Sequence, residues 1–125
     1  MQFLCSRERE SIQHILWTCP FVVSFWESFQ NTLNSKCDNI SLSLTENIVL
    51  FGHDRYFKSD NLFDLVLLLA KFHIYSCKMN NVRPNMDTFL CKLKFRHEIE
   101  KYAARRDMSY NSFLVRWYTY LPLIH

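Results

Sequence analysis

Apolar residues recur at threes and fours through most of this chain. After Pro20, the residues Val22, Phe25, Trp26, Phe29 and Leu33 fall on one face of a helix, and a proline suits the first helical position. Upstream, Ile12, Ile15 and Leu16 keep the same spacing and predict a short helix over 9–18. Residues 34–39 read as a polar break. The next stretch, 41–52, has two readings. Thr45, Glu46 and Asn47 can cap one helical turn into Ile48, Val49, Leu50 and Phe51, with Gly52 ending it; a short strand fits the same residues.

A polar connector over 53–60 leads to a helix capped by Asp60 or Asn61 and running to Met79. Its apolar residues occur all round, while Asp64, Lys71 and Lys78 fall seven apart on one line, the pattern of a buried helix with one narrow wet edge. The run 62–70 is interrupted by Asp64, with Lys71 following it, well short of the ~20 apolar residues of a membrane span. A turn over 80–84 precedes a helix over 85–106. There Met86, Phe89, Leu90 and Leu93 form one stripe, Phe95, Ile99 and Tyr102 point the other way, and Lys94, Glu98, Lys101 and Arg105 line a face between them. Two apolar sides predict a helix wedged between neighbours. A last helix over 108–121 would turn Phe113, Leu114 and Trp117 inward.

The expected fold class is all-α: a small, irregular domain of about five helices. Residues 1–36 form a Cys/His helical hairpin and 37–125 a helical region compact with it. Composition agrees. An apolar fraction of 49% and an aromatic fraction of 16% suit a packed core rather than a disordered chain. One glycine and three prolines are too few for the turns of a sandwich or barrel.

Charge changes the picture more than composition does. Residues 1–60 carry five basic side chains against seven acidic ones, whereas 82–125 carry eight against four. Such asymmetry permits a polyanion-binding face on the C-terminal third. The basic helix is followed by an aromatic C-terminus, Tyr110, Trp117, Tyr118 and Tyr120, and aromatic faces stack on bases. A solvated helix edge accounts for the same charges. Lys94, Lys101, Arg105 and Arg106 are the candidate phosphate contacts.

Five cysteines with no apolar leader in MQFLCSRERE point to a reducing, intracellular setting. Cys77 and Cys91 read as small buried hydrophobes within helices. Cys5, His14 and Cys19 are different, because imidazole and thiolate five residues apart, with a thiol upstream, make three-quarters of a tetrahedral zinc site. Spacing alone leaves two readings open, zinc ligands or two core thiols with a capping histidine. No G-x-S-x-G turn, P-loop, H-E-x-x-H or G-x-G-x-x-G occurs, which removes the enzyme classes built on them. His53 and Asp54 read as a polar turn. His73, His97 and His125 have no partner at a useful spacing.

The run H-I-L-W-T-C-P-F-V-V-S-F-W (His14 to Trp26) resembles the signature of the zinc-binding region that ends LINE-type, non-LTR retrotransposon reverse transcriptases. The likeness continues through N-I-V-L-F-G, L-L-L-A-K-F-H-I-Y-S-C-K, F-L-C-K-L-K-F-R-H-E-I-E-K-Y-A and a late Phe113 and Trp117, in the family's order and over nearly the whole chain. The resemblance implies Cys5, His14 and Cys19 as the second, third and fourth ligands of a Zn2+ site. Its first ligand would fall at Gln2, where this sequence departs from the pattern, as in a truncated frame or a decayed element. The implied role is a non-catalytic module that assists binding of template RNA or target DNA beside an upstream reverse transcriptase polypeptide. The alternatives are a helical module docking on that polymerase and an inert remnant frame. No Asp-Asp pair occurs, so the carboxylates that hold two metals for phosphoryl transfer are not supplied here. Neither a membrane nor a small-molecule substrate is expected as partner.

Overall fold

The computed structural model describes residues 14–37, 42–51 and 61–124 of the 125-residue chain. Among these residues every regular element is helical, and the fold is all-α. A π-helical segment, His14–Thr18, leads through Cys19 into α1 (Pro20–Lys36). Then come α2 (Glu46–Phe51), α3 (Asn61–Met79), α4 (Met86–Arg106), α5 (Tyr110–Trp117), a 3-10 turn Tyr118–Tyr120 and α6 (Leu121–Ile124). The expected helix over 9–18 is thus π-helical where it is described, and Ile12 lies outside the described residues. So do the connector 53–60, the proposed stop Gly52 and the proposed cap Asp60.

α1 takes the face its sequence predicts: Val22, Phe25, Trp26, Phe29 and Leu33 are all buried. The carbonyl of Cys19 accepts the N–H groups of Val22 and Val23, each at 2.9 Å, so the first turn closes around the proline that lacks its own N–H. Trp26 Nε1 donates to the Leu16 carbonyl at 2.7 Å, which satisfies a buried indole and ties the π-helical segment to α1. On the same helix Gln30 Oε1 accepts from the Leu44 N–H at 2.7 Å, and the Asn34 side chain both accepts from and donates to the Leu42 backbone. These bonds seat the start of α2. Thr45 Oγ1 then accepts the Ile48 N–H at 3.2 Å, so the helical reading of 46–51 prevails over the strand.

α3 buries Leu62, Phe63, Val66, Leu67, Ala70, Ile74 and Cys77. The expectation of a mostly buried helix with a narrow charged edge needs correction. Its outward line is Asp64, Leu68, Phe72, Tyr75 and Met79, all exposed, while Lys71 and Lys78 are half-buried. A helix apolar all round has no polar face to mark the outside, so its periodicity did not show which side meets solvent.

α4 starts at Asn85, whose side chain accepts the Thr88 N–H at 3.1 Å. It buries Phe89, Leu93, His97 and Ala104. The wedged arrangement is also corrected: Phe95, Ile99 and Tyr102 are solvent-exposed. Among the described residues, α1, α3, α5 and α6 all meet α4. The turns that follow α3 and α4 each hold a left-handed residue, Asn81 at φ 58° and Met108 at φ 60°. The sole glycine, Gly52, is elsewhere in the sequence. Asparagine tolerates that backbone region; methionine is forced into it.

Two aromatic clusters hold the helices together. Phe25 and Phe29 of α1 meet Phe89 of α4, with ring centroids 5.9 Å apart in both pairs, and His73 of α3 closes the group. Further along, His97 of α4 packs against Phe113 and Trp117 of α5, at 5.0 Å and 4.9 Å between centroids. Each fully buried large apolar side chain contributes about 1.5–3 kcal/mol by leaving water. Leu114 does not join them: it faces out, whereas Phe113 and Trp117 face in as expected.

Candidate nucleic-acid interface

The zinc reading is carried by three residues, of which Cys5 lies outside the described residues and His14 is described only in its backbone. Cys19 is fully buried in the apolar core with Val22, Phe25 and Trp26 around its sequence position. No group of three or more His, Cys, Asp or Glu side chains that could hold a metal ion occurs among the described residues. The other described cysteines divide. Cys77 is buried as expected, and burial pushes its thiol above its usual range. Cys91 is exposed on α4, which corrects its reading as a core thiol.

Of the three acids on α4, Asp87 and Glu98 are exposed and the third is not. Glu100 turns inward: its carboxylate accepts Arg116 Nη1 at 2.7 Å and Trp117 Nε1 at 2.9 Å. One acid on this helix is thereby spent on holding α5, and the buried indole gains its acceptor. Lys94 and Arg105 are exposed and Lys101 is half-buried. Seven and four residues apart, the three share one flank of the helix. Arg105 also lies over the Tyr110 ring, its guanidinium 5.0 Å from the centroid, a surface contact that orients it. Arg106 sits 3.6 Å from Asp107 in an exposed pair, worth little in water.

The remaining cations of the C-terminal third go elsewhere, apart from one. Arg116 belongs to Glu100, and Arg83 lies 4.2 Å over the Phe21 ring. Lys92 reaches back to His73, its Nζ 2.9 Å from Nδ1. Arg96 is exposed and was not among the residues singled out from sequence. It lies on the opposite flank from Lys94, with Phe95, Ile99 and Tyr102 on the arc between them.

That arc is what the sequence reading missed. Phe95 is 68% and Tyr102 71% exposed, more than almost any other aromatic described. The spacing that placed them opposite the core stripe was visible in the sequence, but their exposure was not. Conversely, Trp117 and Tyr120 of the aromatic C-terminus are buried, so they are withdrawn from any stacking role; Tyr118 stays exposed.

His73 is the other group the sequence left without partners. It is buried between Phe25 and Phe89, with Lys92 Nζ at Nδ1, the Asn85 N–H 3.4 Å from Nε2 and Cys77 Sγ within 3.7 Å of the ring nitrogens. An ammonium can only donate, so Nδ1 accepts and the ring is neutral. Burial first, and the Lys92 charge second, pull its pKa from 6.5 to about 4. The Asn85 N–H faces a nitrogen that carries the ring proton in this tautomer, so the shorter Lys92 contact decides the assignment. This cluster joins α3 to the start of α4. Its job is structural, and it fixes where α4 points.

No helix among the described residues is long and apolar enough to cross a membrane. Comparison with protein-family models, with curated proteins and with solved structures finds no match to this chain.

Proposed function

We propose that this chain is a non-catalytic helical module that binds nucleic acid through the outer face of α4, as the C-terminal part of a LINE-type reverse transcriptase would. The observation that carries the reading is the surplus of exposed cations on the outer face of that helix, where Glu98 is the one exposed acid among them. Glu100 is turned into the fold by Arg116 and Trp117, whereas Lys94, Arg96 and Arg105 are exposed around Phe95 and Tyr102. Cations on one rigid element can track a phosphate backbone, and each phosphate they neutralise releases condensed counterions. Lys94, Lys101, Arg105 and Arg106 position the strand; none of them has a chemical step to perform.

Binding of the full chain to labelled RNA and DNA, titrated against salt, tests this. Affinity should fall steeply with salt. Replacing Lys94, Lys101 and Arg105 by alanine should lower the slope of log affinity against log salt by about 0.7–0.9 per phosphate that is no longer neutralised. No binding to either nucleic acid at low salt would end the proposal.

A second reading has its own observation. Leu68, Phe72, Tyr75 and Met79 follow one another at fours and threes along the exposed side of α3. Such a line suits docking on another helix, here the upstream polypeptide. Co-purification with that polypeptide, abolished by Phe72→Glu, would favour it.

A further inference from the structure

The exposed aromatics of α4 say which form of nucleic acid its cations meet. Phe95 and Tyr102 lie seven residues apart on the same side of the helix, about 10 Å along its axis. That distance matches about three nucleotides at a stacked spacing of 3.4 Å. Lys94 and Arg105, with the exposed Glu98 between them, flank the ridge on one side and Arg96 on the other, with Ile99 between the two rings. We infer that this ridge is a stacking platform for single-stranded nucleic acid, with bases on Phe95 and Tyr102 and the backbone along Lys94, Lys101 and Arg105.

The inference rests on α4 being the nucleic-acid surface and adds its selectivity. A duplex hides its base faces inside the stack, so to a duplex the two rings offer nothing and only the cations act. A single strand can unstack and lay bases on the rings while its phosphates reach the flanking cations. The same pairing of aromatics and cations also occurs on helices that lie in anionic membrane surfaces. Those need a broad apolar face, and here Glu98 is exposed beside Phe95 and Tyr102, leaving three apolar side chains in a charged setting.

The test uses the full chain with fluorescently labelled 12-nucleotide oligo-U and oligo-dT, a 12-base-pair duplex, and vesicles containing phosphatidylserine. Single strands should bind more tightly than the duplex at equal salt. Phe95→Ala and Tyr102→Ala should each weaken single-strand binding roughly 5- to 100-fold, leave the duplex affinity and the thermal melt unchanged, and leave the salt slope intact. Phe95→Tyr should keep the single-strand affinity. Equal affinity for single strand and duplex, with both alanine variants silent, would overturn the platform while the cationic reading stands. Absence of all nucleic-acid binding would overturn both. Vesicle binding that depends on Phe95, without single-strand binding, would assign the ridge to a lipid surface instead.

Discussion

α3 and α4 each bury one side in the same core and show aromatic rings on the other, yet the two outer faces are not equivalent. On α3 the exposed line runs Leu68, Phe72, Tyr75 and Met79, with Lys71 and Lys78 drawn down to half-burial beside it. On α4 the rings of Phe95 and Tyr102 stand among exposed Lys94, Arg96, Arg105 and Arg106. Similar side chains therefore mean different things in different charge surroundings. Aromatics without cations suit an apolar partner, and aromatics among cations suit a polyanion with flat faces. What separates the two is the charge beside the rings: Lys71 and Lys78 are half-buried on α3, whereas Lys94, Arg96, Arg105 and Arg106 are exposed on α4, with Glu98 as the acid among them.

One core orients both helices, and the largest expected effect tests that. Phe89→Ala removes the ring that meets Phe25, Phe29 and His73, and should cost about 3–5 kcal/mol in denaturant unfolding. A cost below about 1 kcal/mol on the same scale would mean that the two faces do not share a core. Next, Glu100→Ala strands the Trp117 indole and should cost about 2 kcal/mol. Amide exchange should rise in α5 while α3 stays protected; uniform loosening would erase the distinction between the two ends of α4.

Acidification probes the joint between the helices. His73 titrates at about 4 when folded, against 6.5 for an ordinary imidazole. Between those values the unfolded chain binds a proton that the folded one refuses. Stability is therefore full above pH 6.5 and declines as the pH falls towards 4, by about 1–3 kcal/mol. His73→Phe should flatten the part of the pH–stability curve between those values; an unchanged slope would put the proton elsewhere. Smaller still, Met108→Gly should raise stability by about 0.5–1 kcal/mol, because glycine accepts a φ of 60° without a Cβ clash. Last, Phe72→Ser should leave nucleic-acid affinity unchanged while Phe95→Ser lowers it; equal losses would collapse the two faces into one.

Much of the fold was legible from the chain. Val22, Phe25, Trp26, Phe29 and Leu33 repeat at the helical period, and all are buried on α1. Phe89 and Leu93 mark the inner side of α4 in the same way. The reading went astray where a helix is apolar on more than one side. Periodicity locates a face; it does not say whether anything lies against it. That is why Phe95, Ile99 and Tyr102 looked wedged and are in water, and why Leu68 and Phe72 looked buried. The candidate site was half visible: Lys94, Lys101, Arg105 and Arg106 could be named from their clustering, whereas Arg96 and the ridge between the flanks could not.

By itself the sequence determined the helical class, the positions of α1, α3 and α4, the turn at 80–84 and the cationic bias of the C-terminal third. These follow from local spacing, capping residues and charge counts, which need no knowledge of neighbours. Tertiary structure decided which cations remain on the surface, through contacts as distant as Lys92 to His73 and Arg116 to Glu100. It also decided which aromatics are exposed. Burial is a relation between elements, set by packing of residues far apart in the chain, and no single helix carries that information in its own pattern.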